Sequence, residues 1–227
     1  MKFNYDIKKY DFNKLVCNIL EVDNLTNIHS IFYDDGFKRK NYLQKLGKSL
    51  QSTIFHKKFY ENSKKFSILY NKFIEEVICP LYDEDILYQS IPTFRIQAPK
   101  SVSVIGLNHN KNSKEIGIEG LHRDKDYNHS DKEMNYFLPF VDTDKYNTIW
   151  AESKPDKADY SPFLLKYGEI KKWSGATLMH GNIINKSKRT RVSVDFRVIP
   201  LSDFKDNEVS TLTQKIPFKI GGYWSTI

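Results

Sequence analysis

The chain has 227 residues, 40% of them hydrophobic and 14% aromatic, which is enough apolar surface for one substantial core and too much for a disordered chain. No apolar run approaches the ~18 residues of a membrane span, the opening MKFNYDIKKYDF lacks the apolar region of a secretory signal, and two cysteines, Cys17 and Cys79, cannot make a disulfide framework. The net charge of +7 is spread, +5 over residues 1–80 and +2 over 81–227, with no binding motif beside it, so a cytoplasmic protein is expected, with neither nucleic acid nor membrane as partner.

The spacing predicts three helices before Pro80. Phe12, Leu15, Val16, Ile19 and Leu20 fall on one face of a short helix over 12–20. Leu43, Leu46, Leu50, Ile54 and Phe59 predict a second over 41–59. Phe66, Leu69, Tyr70, Phe73, Ile74 and Val77 predict a third, capped by Asn62 or Ser63 and ended by Pro80. His29 and His56, in or beside this region, read as structural.

After residue 90 the period drops to two. Strands are expected at 93–98, 101–107, 118–122, 134–140, 147–152, 163–167, 169–173, 176–180 and 190–199, divided by Gly, Pro, Asn and Asp turns. Short strands without intervening helices predict an antiparallel double-sheet jelly roll. The expected organisation is an N-terminal helical elaboration (1–90), a β core (91–200) and a C-terminal tail (201–227). Residues 108–115 and 124–133 are polar loops of the kind that border binding sites.

The stretch Gly120-Leu121-His122-Arg123-Asp124 carries the chemistry. Side chains two apart at a strand end share a face, so His122 and Asp124 can hold one metal ion together. His180, closing ATLMH, is the candidate third ligand. Two histidines and a carboxylate form the facial triad of non-heme Fe(II) oxygenases, which leaves coordination positions open for a chelating 2-oxo acid and dioxygen. A dicarboxylate cosubstrate also needs a cation for its far end, and the arginine fork suits it. In TRVSVDFRV, Arg191, Ser193, Asp195 and Arg197 point one way and Val192, Val194, Phe196 and Val198 the other. The apolar face can pack under the helices, and Arg191 with Ser193 can grip the far carboxylate. Arg189, on the same face at the turn end, competes with Arg191.

These residues, together with PTFRIQ, HRDKDY, NYFLPF, NTIWAES, GATLMHGNIIN and RTRVSVDFRVIP, resemble the Fe(II)/2-oxoglutarate-dependent oxygenases, and within them the oxygenase-like proteins named for streptomycin biosynthesis. The resemblance covers residues 91–200 well and the N-terminal helices loosely. It implies a mainly β protein with N-terminal α-helices, built on a double-stranded β-helix (jelly roll, cupin-like). It implies His122, Asp124 and His180 as Fe(II) ligands, and Arg191 with Ser193 on the distal carboxylate of 2-oxoglutarate. The implied reaction is dioxygenase chemistry on a polar small molecule such as a sugar, nucleotide-sugar or natural-product precursor, releasing succinate and carbon dioxide. The intact Asp124 speaks against halogenation, since related halogenases leave that position open.

Further candidates come from strand positions alone. Asn135 and Thr148 are placed to bond 2-oxoglutarate. Arg95, Glu152, Asn182 and Arg197 are placed to meet a polar substrate, or to form an internal ion-pair network such as Asp195 with Arg197. Gln97 shares the face of Arg95. His109 and His129 read as solvated loop residues. Trp150 and Trp173 read as core, with Trp150 the one expected to border the site. Two other functions compete: a metal-independent jelly-roll sugar epimerase or isomerase using His122 and Asp124 as an acid–base pair, and a non-catalytic binding module of the same fold.

Overall fold

The structure is a computed structural model that describes residues 1–34, 53–103, 117–206, 209–211 and 215–227. Of the strand expected over 101–107, residues 101–103 are described and form no strand, while 104–107, the loop 108–115 with His109, and the helical positions Leu43, Leu46 and Leu50 lie outside the described residues.

Helix α1 (Phe12–Leu20) forms as its spacing predicts. The Asp11 side chain accepts from the Lys14 amide at its start, and Phe12, Val16, Ile19 and Leu20 are buried. Helix α2 spans Ile28–Asp34. Helix α3 (Ile54–Glu61) is capped by Thr53, whose hydroxyl accepts from the His56 amide. Helix α4 (Ser63–Phe73) follows at once. Asn62 does not cap α4 with its side chain; its Nδ2 instead donates to the Lys58 carbonyl at the end of α3. The third helix does not run regularly to Pro80. It opens into a π-turn over Ile74–Ile78 and tightens into a 3-10 turn over Cys79–Leu81, since proline offers no amide to the carbonyl four residues back.

Eleven strands are described: β1 (Lys2–Asn4), β2 (Ile86–Gln89), β3 (Thr93–Gln97), β4 (Glu119–His122), β5 (Met134–Pro139), β6 (Ile149–Ala151), β7 (Ser161–Pro162), β8 (Glu169–Trp173), β9 (His180–Asn182), β10 (Arg191–Pro200) and β11 (Trp224–Ser225). One sheet runs β1-β8-β5-β10-β2-β11, with β3 also on β10, and the other runs β4-β9-β6-β7. Every pairing of these strands is antiparallel. The molecule is therefore mostly β, with its helices gathered at the N-terminal side of the sequence.

The ten-residue β10 organises the whole. Val192, Val194, Phe196 and Val198 join Phe94, Ile96, Tyr136 and Leu138 on one face of the large sheet, against Phe12, Phe59, Phe66, Tyr70 and Phe73 of the helices. Phe137 and Trp173, on the opposite face, pack with Ile149 and Ala151 of the small sheet. The two sheets thus face each other, and the polar side chains of β10 lie between them.

Two expected strands are absent as such. Residues 163–167 form no strand of their own: the Phe163 amide still reaches the Ile149 carbonyl of β6, but beyond it the segment bonds to a loop, where Thr143 donates its amide and its hydroxyl to the Leu165 carbonyl and its Oγ1 accepts from the Leu165 amide. Residues 176–179 form a turn, with the Leu178 amide on the Ser174 carbonyl, and β9 begins only at His180.

Candidate metal centre

Strands β4 and β9 pair so that His122 lies directly opposite His180. Side chains opposed across an antiparallel pair start only ~5 Å apart, and the two imidazole centroids stand at 4.2 Å. The register shifts between Glu119 and His122, and the close approach needs glycine at 181, where a Cβ would sit 2.5 Å from the Glu119 carbonyl oxygen. Asp124 opens a 3-10 turn just past β4, its amide bonded to the Gly175 carbonyl.

One ligand atom from each of His122, Asp124 and His180 lies within 4.8 Å of the others. The hydrogen bonds say which atoms these are. His122 Nδ1 is 2.6 Å from the Gly120 carbonyl oxygen and His180 Nδ1 is 2.9 Å from that of Leu178. A carbonyl only accepts, so each Nδ1 must carry the proton, which leaves each Nε2 with a bare lone pair. Both Nε2 atoms stand 3.7 Å from Asp124 Oδ1. The other carboxylate oxygen, Oδ2, is taken by Asn135 Nδ2 at 2.6 Å and by Arg197 Nη2 and Nε at 2.7 and 3.1 Å. Asn135 and Arg197 are themselves opposite each other in the β5–β10 register.

The charge states suit a cation. Burial lowers His180 to about 3, with His122 adding to it and Asp124 opposing. Burial likewise lowers His122. Burial would raise the Asp124 carboxyl, but the Arg197 guanidinium, and after it the imidazoles, hold it well below the usual carboxylate range. Two neutral imidazoles and an ionised carboxylate therefore converge on one point, the donor set of a mononuclear divalent metal.

The cavity around this point is lined by Arg95, Asn135, Trp173, Asn182, Arg191 and Asp195 besides the three ligands. Arg191 is 1% exposed. Its Nη2 donates to Ser103 Oγ at 2.8 Å, and its guanidinium lies 5.3 Å over the Phe137 ring. Its Nε and Nη1, and the Ser193 hydroxyl beside it, are buried with no hydrogen-bond partner among the described residues. Burial pushes Arg191 down to about 10. A carboxylate can meet one of these nitrogens together with the Ser193 hydroxyl, so the lining fits an anionic group beside Arg191. Arg189, by contrast, is exposed.

Other expected residues are placed differently. The Thr148 hydroxyl donates to the Phe163 carbonyl and is spent there. Glu152 accepts from the Met179 and Ala158 amides, which anchors the turn before β9. Asn182 lines the cavity but holds Ser103 Oγ and the Thr148 carbonyl. Gln97 donates to the Ile183 carbonyl. Asp195 pairs with Arg95 at 3.2 Å, not with Arg197, because β3 brings Arg95 alongside β10. His129 is not solvated: its ring meets Glu133 at 2.7 Å and packs on Phe218 and Tyr223. Trp173, not Trp150, meets the site, edge-on to His180 at 4.6 Å, whereas the Trp150 indole donates to the Lys145 carbonyl at the surface. His29 and His56 bond the hydroxyls of Thr190 and Thr53.

Sequence reasoning did not single out Ser103, Gly175 or Tyr223. Gly175 donates its amide to Asn135 Oδ1 while its carbonyl takes the Asp124 amide, and a Cβ there would lie 2.6 Å from Asn135 Nδ2. The Gly-Ala break before a histidine-terminated strand was the available signal for it.

Fold and site together define a mostly β, antiparallel protein with a His–Asp–His cluster between its sheets that could hold a metal ion. No family model matches the chain. It is 33% identical over 177 residues to streptomycin biosynthesis protein StrG of Streptomyces griseus, an alignment covering 78% of each chain. The chain belongs to the family of that protein. Among solved structures it is similar to the non-heme monooxygenase ThoJ (TM-score 0.45, 13% identity, 71% of this chain and 66% of that one). It is also similar to HygX of Streptomyces hygroscopicus with nickel and 2-oxoglutarate bound (TM-score 0.40, 13% identity, 64% and 70%). The non-heme alpha ketoglutarate dependent epimerase SnoN from nogalamycin biosynthesis is a third (TM-score 0.39, 12% identity, 81% and 74%). Family membership rests on the Streptomyces griseus relative.

Proposed function

We propose that the chain is an Fe(II)- and 2-oxoglutarate-dependent dioxygenase on a double-stranded β-helix, acting in the cytoplasm on a C–H bond of a polar small molecule of the sugar or natural-product-precursor class. The observation that carries this reading is the pairing, in one cavity, of three converging ligand atoms with a fully buried arginine that keeps two nitrogens without a partner among the described residues. A metal accounts for the first feature, and an anionic ligand held nearby accounts for the second.

His122 and His180 would hold the metal through Nε2 and Asp124 through Oδ1. Arg191 and Ser193 would receive the far carboxylate of 2-oxoglutarate and fix its orientation. Fe(II) with 2-oxoglutarate supplies the activation of dioxygen, coupling oxidative decarboxylation of the cosubstrate to succinate and carbon dioxide with insertion of the second oxygen atom into the substrate C–H bond. Trp173 and Ile149 line the cavity with apolar surface and limit water there. Arg95 and Asp195 present an ion pair into the same cavity, suited to hydroxyl or amine groups of the substrate.

Against the metal-independent acid–base reading stands the charge pattern. Asp124 is held ionised and both imidazoles neutral, so the pair can accept a proton but carries no acid to return one near neutral pH, as an epimerase or isomerase needs. The test is succinate formation from 2-oxoglutarate with Fe(II), ascorbate and dioxygen. Wild-type protein is expected to produce succinate, uncoupled turnover included, and His122→Ala to lose it. Turnover that persists in His122→Ala, or after chelation of metal, overturns the proposal.

A further inference from the structure

Arg197 is a candidate substrate contact by sequence, yet in the structure its fork is committed. Nη2 and Nε bind Asp124 Oδ2, and Nη1 binds the Tyr223 hydroxyl at 2.9 Å. Glu133 Oε2 lies 3.7 Å from Nε and is itself bonded to His129 Nδ1, while Glu133 Oε1 accepts from the Ser130 amide. Tyr223 comes from the C-terminal segment. It is held by its own carbonyl on the Ser90 amide, by β11 on β2, and by ring contacts with His129, Phe218 and Trp224.

The consequence falls on Asp124. A carboxylate can bind a metal through one oxygen or both. With Asn135 added, Oδ2 accepts three N–H groups, which saturates its lone pairs, while Oδ1 faces the two Nε2 atoms. We propose that Arg197 is a positioning residue that restricts Asp124 to one-oxygen coordination through Oδ1, and that Tyr223 of the C-terminal segment fixes Arg197 for this task. The tail thereby sets the number of positions the metal keeps open, although it supplies no ligand. The inference rests on the metal-centre reading and deepens it. Lysine cannot substitute fully, because a point charge lacks the fork that spans Asp124 and Tyr223 together.

The test is titration of the purified full chain with Co(II), followed by its visible d–d absorption, whose intensity falls as coordination number rises. Wild type is expected to bind one Co(II). Tyr223→Phe, which keeps the ring and its packing, is expected to weaken Co(II) about 10-fold, and Arg197→Met toward 100-fold, the range found when a ligand's supporting contacts are removed. Arg197→Met is also expected to give a weaker, shifted band as Oδ2 joins the metal, and Arg197→Lys to recover affinity in part. Thermal melting of each metal-free variant shows whether it is folded. If Arg197→Met does not fold, Tyr223→Phe decides alone. Wild-type affinity and band in a folded Tyr223→Phe and Arg197→Met overturn the inference and leave the metal centre standing. Failure of wild type to take up Co(II) overturns both, and so separates the two outcomes.

Discussion

Arg191 and Arg197 stand six residues apart on one face of β10, both buried, and their surroundings are opposites. Arg197 is matched by Asp124, Tyr223 and Glu133; burial would lower its pKa, but Asp124 more than reverses this. Arg191 has one hydrogen bond, to Ser103, and two N–H groups without one among the described residues. Burial is the dominant influence on it, and Asp195 opposes that only in part. One guanidinium has its anion inside the fold. The other is kept in a low-dielectric cavity at a cost, which a fold sustains where a ligand supplies the missing anion.

The contrast gives opposite signs under the same substitution. Arg197→Met leaves Asp124 as a buried charge without its counterion, and should lower the stability of the metal-free protein by about 3–5 kcal/mol in urea unfolding. Arg191→Met removes an incompletely matched charge and should leave metal-free stability unchanged or raise it. The same variant should raise the KM for 2-oxoglutarate by ~100-fold, as two charge-assisted hydrogen bonds of roughly 1.5–3 kcal/mol each are lost in part. Equal destabilisation by the two substitutions would erase the distinction between the two ends of the cavity.

Smaller changes sharpen the metal end. Gly175→Ala drives a methyl into Asn135 and should cost about 1–3 kcal/mol of stability. It should also weaken metal binding, because Asn135 then leaves Asp124 Oδ2. Gly117→Ala, at an exposed turn where a Cβ meets nothing, carries backbone strain from its φ of +70° but should leave metal binding intact. The metal end also carries a pH dependence. His180 is protonated in the unfolded chain below its ordinary 6.5 but stays neutral in the native state down to about 3. The unfolded state thus binds the extra proton across that window. Metal-free stability should rise with pH between about 3 and 6.5, by at most ~1.4 kcal/mol per unit from this group, and then level off. Melting curves that are flat from pH 4 to 6.5 would contradict the buried neutral imidazole.

Much of this was legible in the sequence where one signal decides the outcome. The alternation in β10 told which side chains face the helices and which face the cavity, and α1 followed from its apolar spacing and Asp11. His122, Asp124 and His180 could be grouped because their residue types and strand ends point to one chemistry. What escaped depends on pairing at long range. Strand β2 has all four residues buried, with Leu87 against the C-terminal segment and Ile86 and Tyr88 in the helix-backed core, so it shows no alternation. Strand β1 is three residues long and exists because β8 accepts it. Arg197 took Asp124, and Asp195 took Arg95, because cross-strand register outranks neighbourhood along one strand. Tyr223 is 26 residues beyond its partner, and nothing local in GGYW announces the contact.

The most direct measurement is calorimetric titration of 2-oxoglutarate into the wild-type chain, with and without Mn(II), and into Mn(II)-loaded Arg191→Met. Two anchors should show as two dependences: binding to the Mn(II)-loaded wild type, and marked weakening when either the metal or the arginine is removed. Equal heats and equal affinity in all three samples, or no binding to the Mn(II)-loaded wild type, would contradict a cavity built to hold a metal-chelating dicarboxylate.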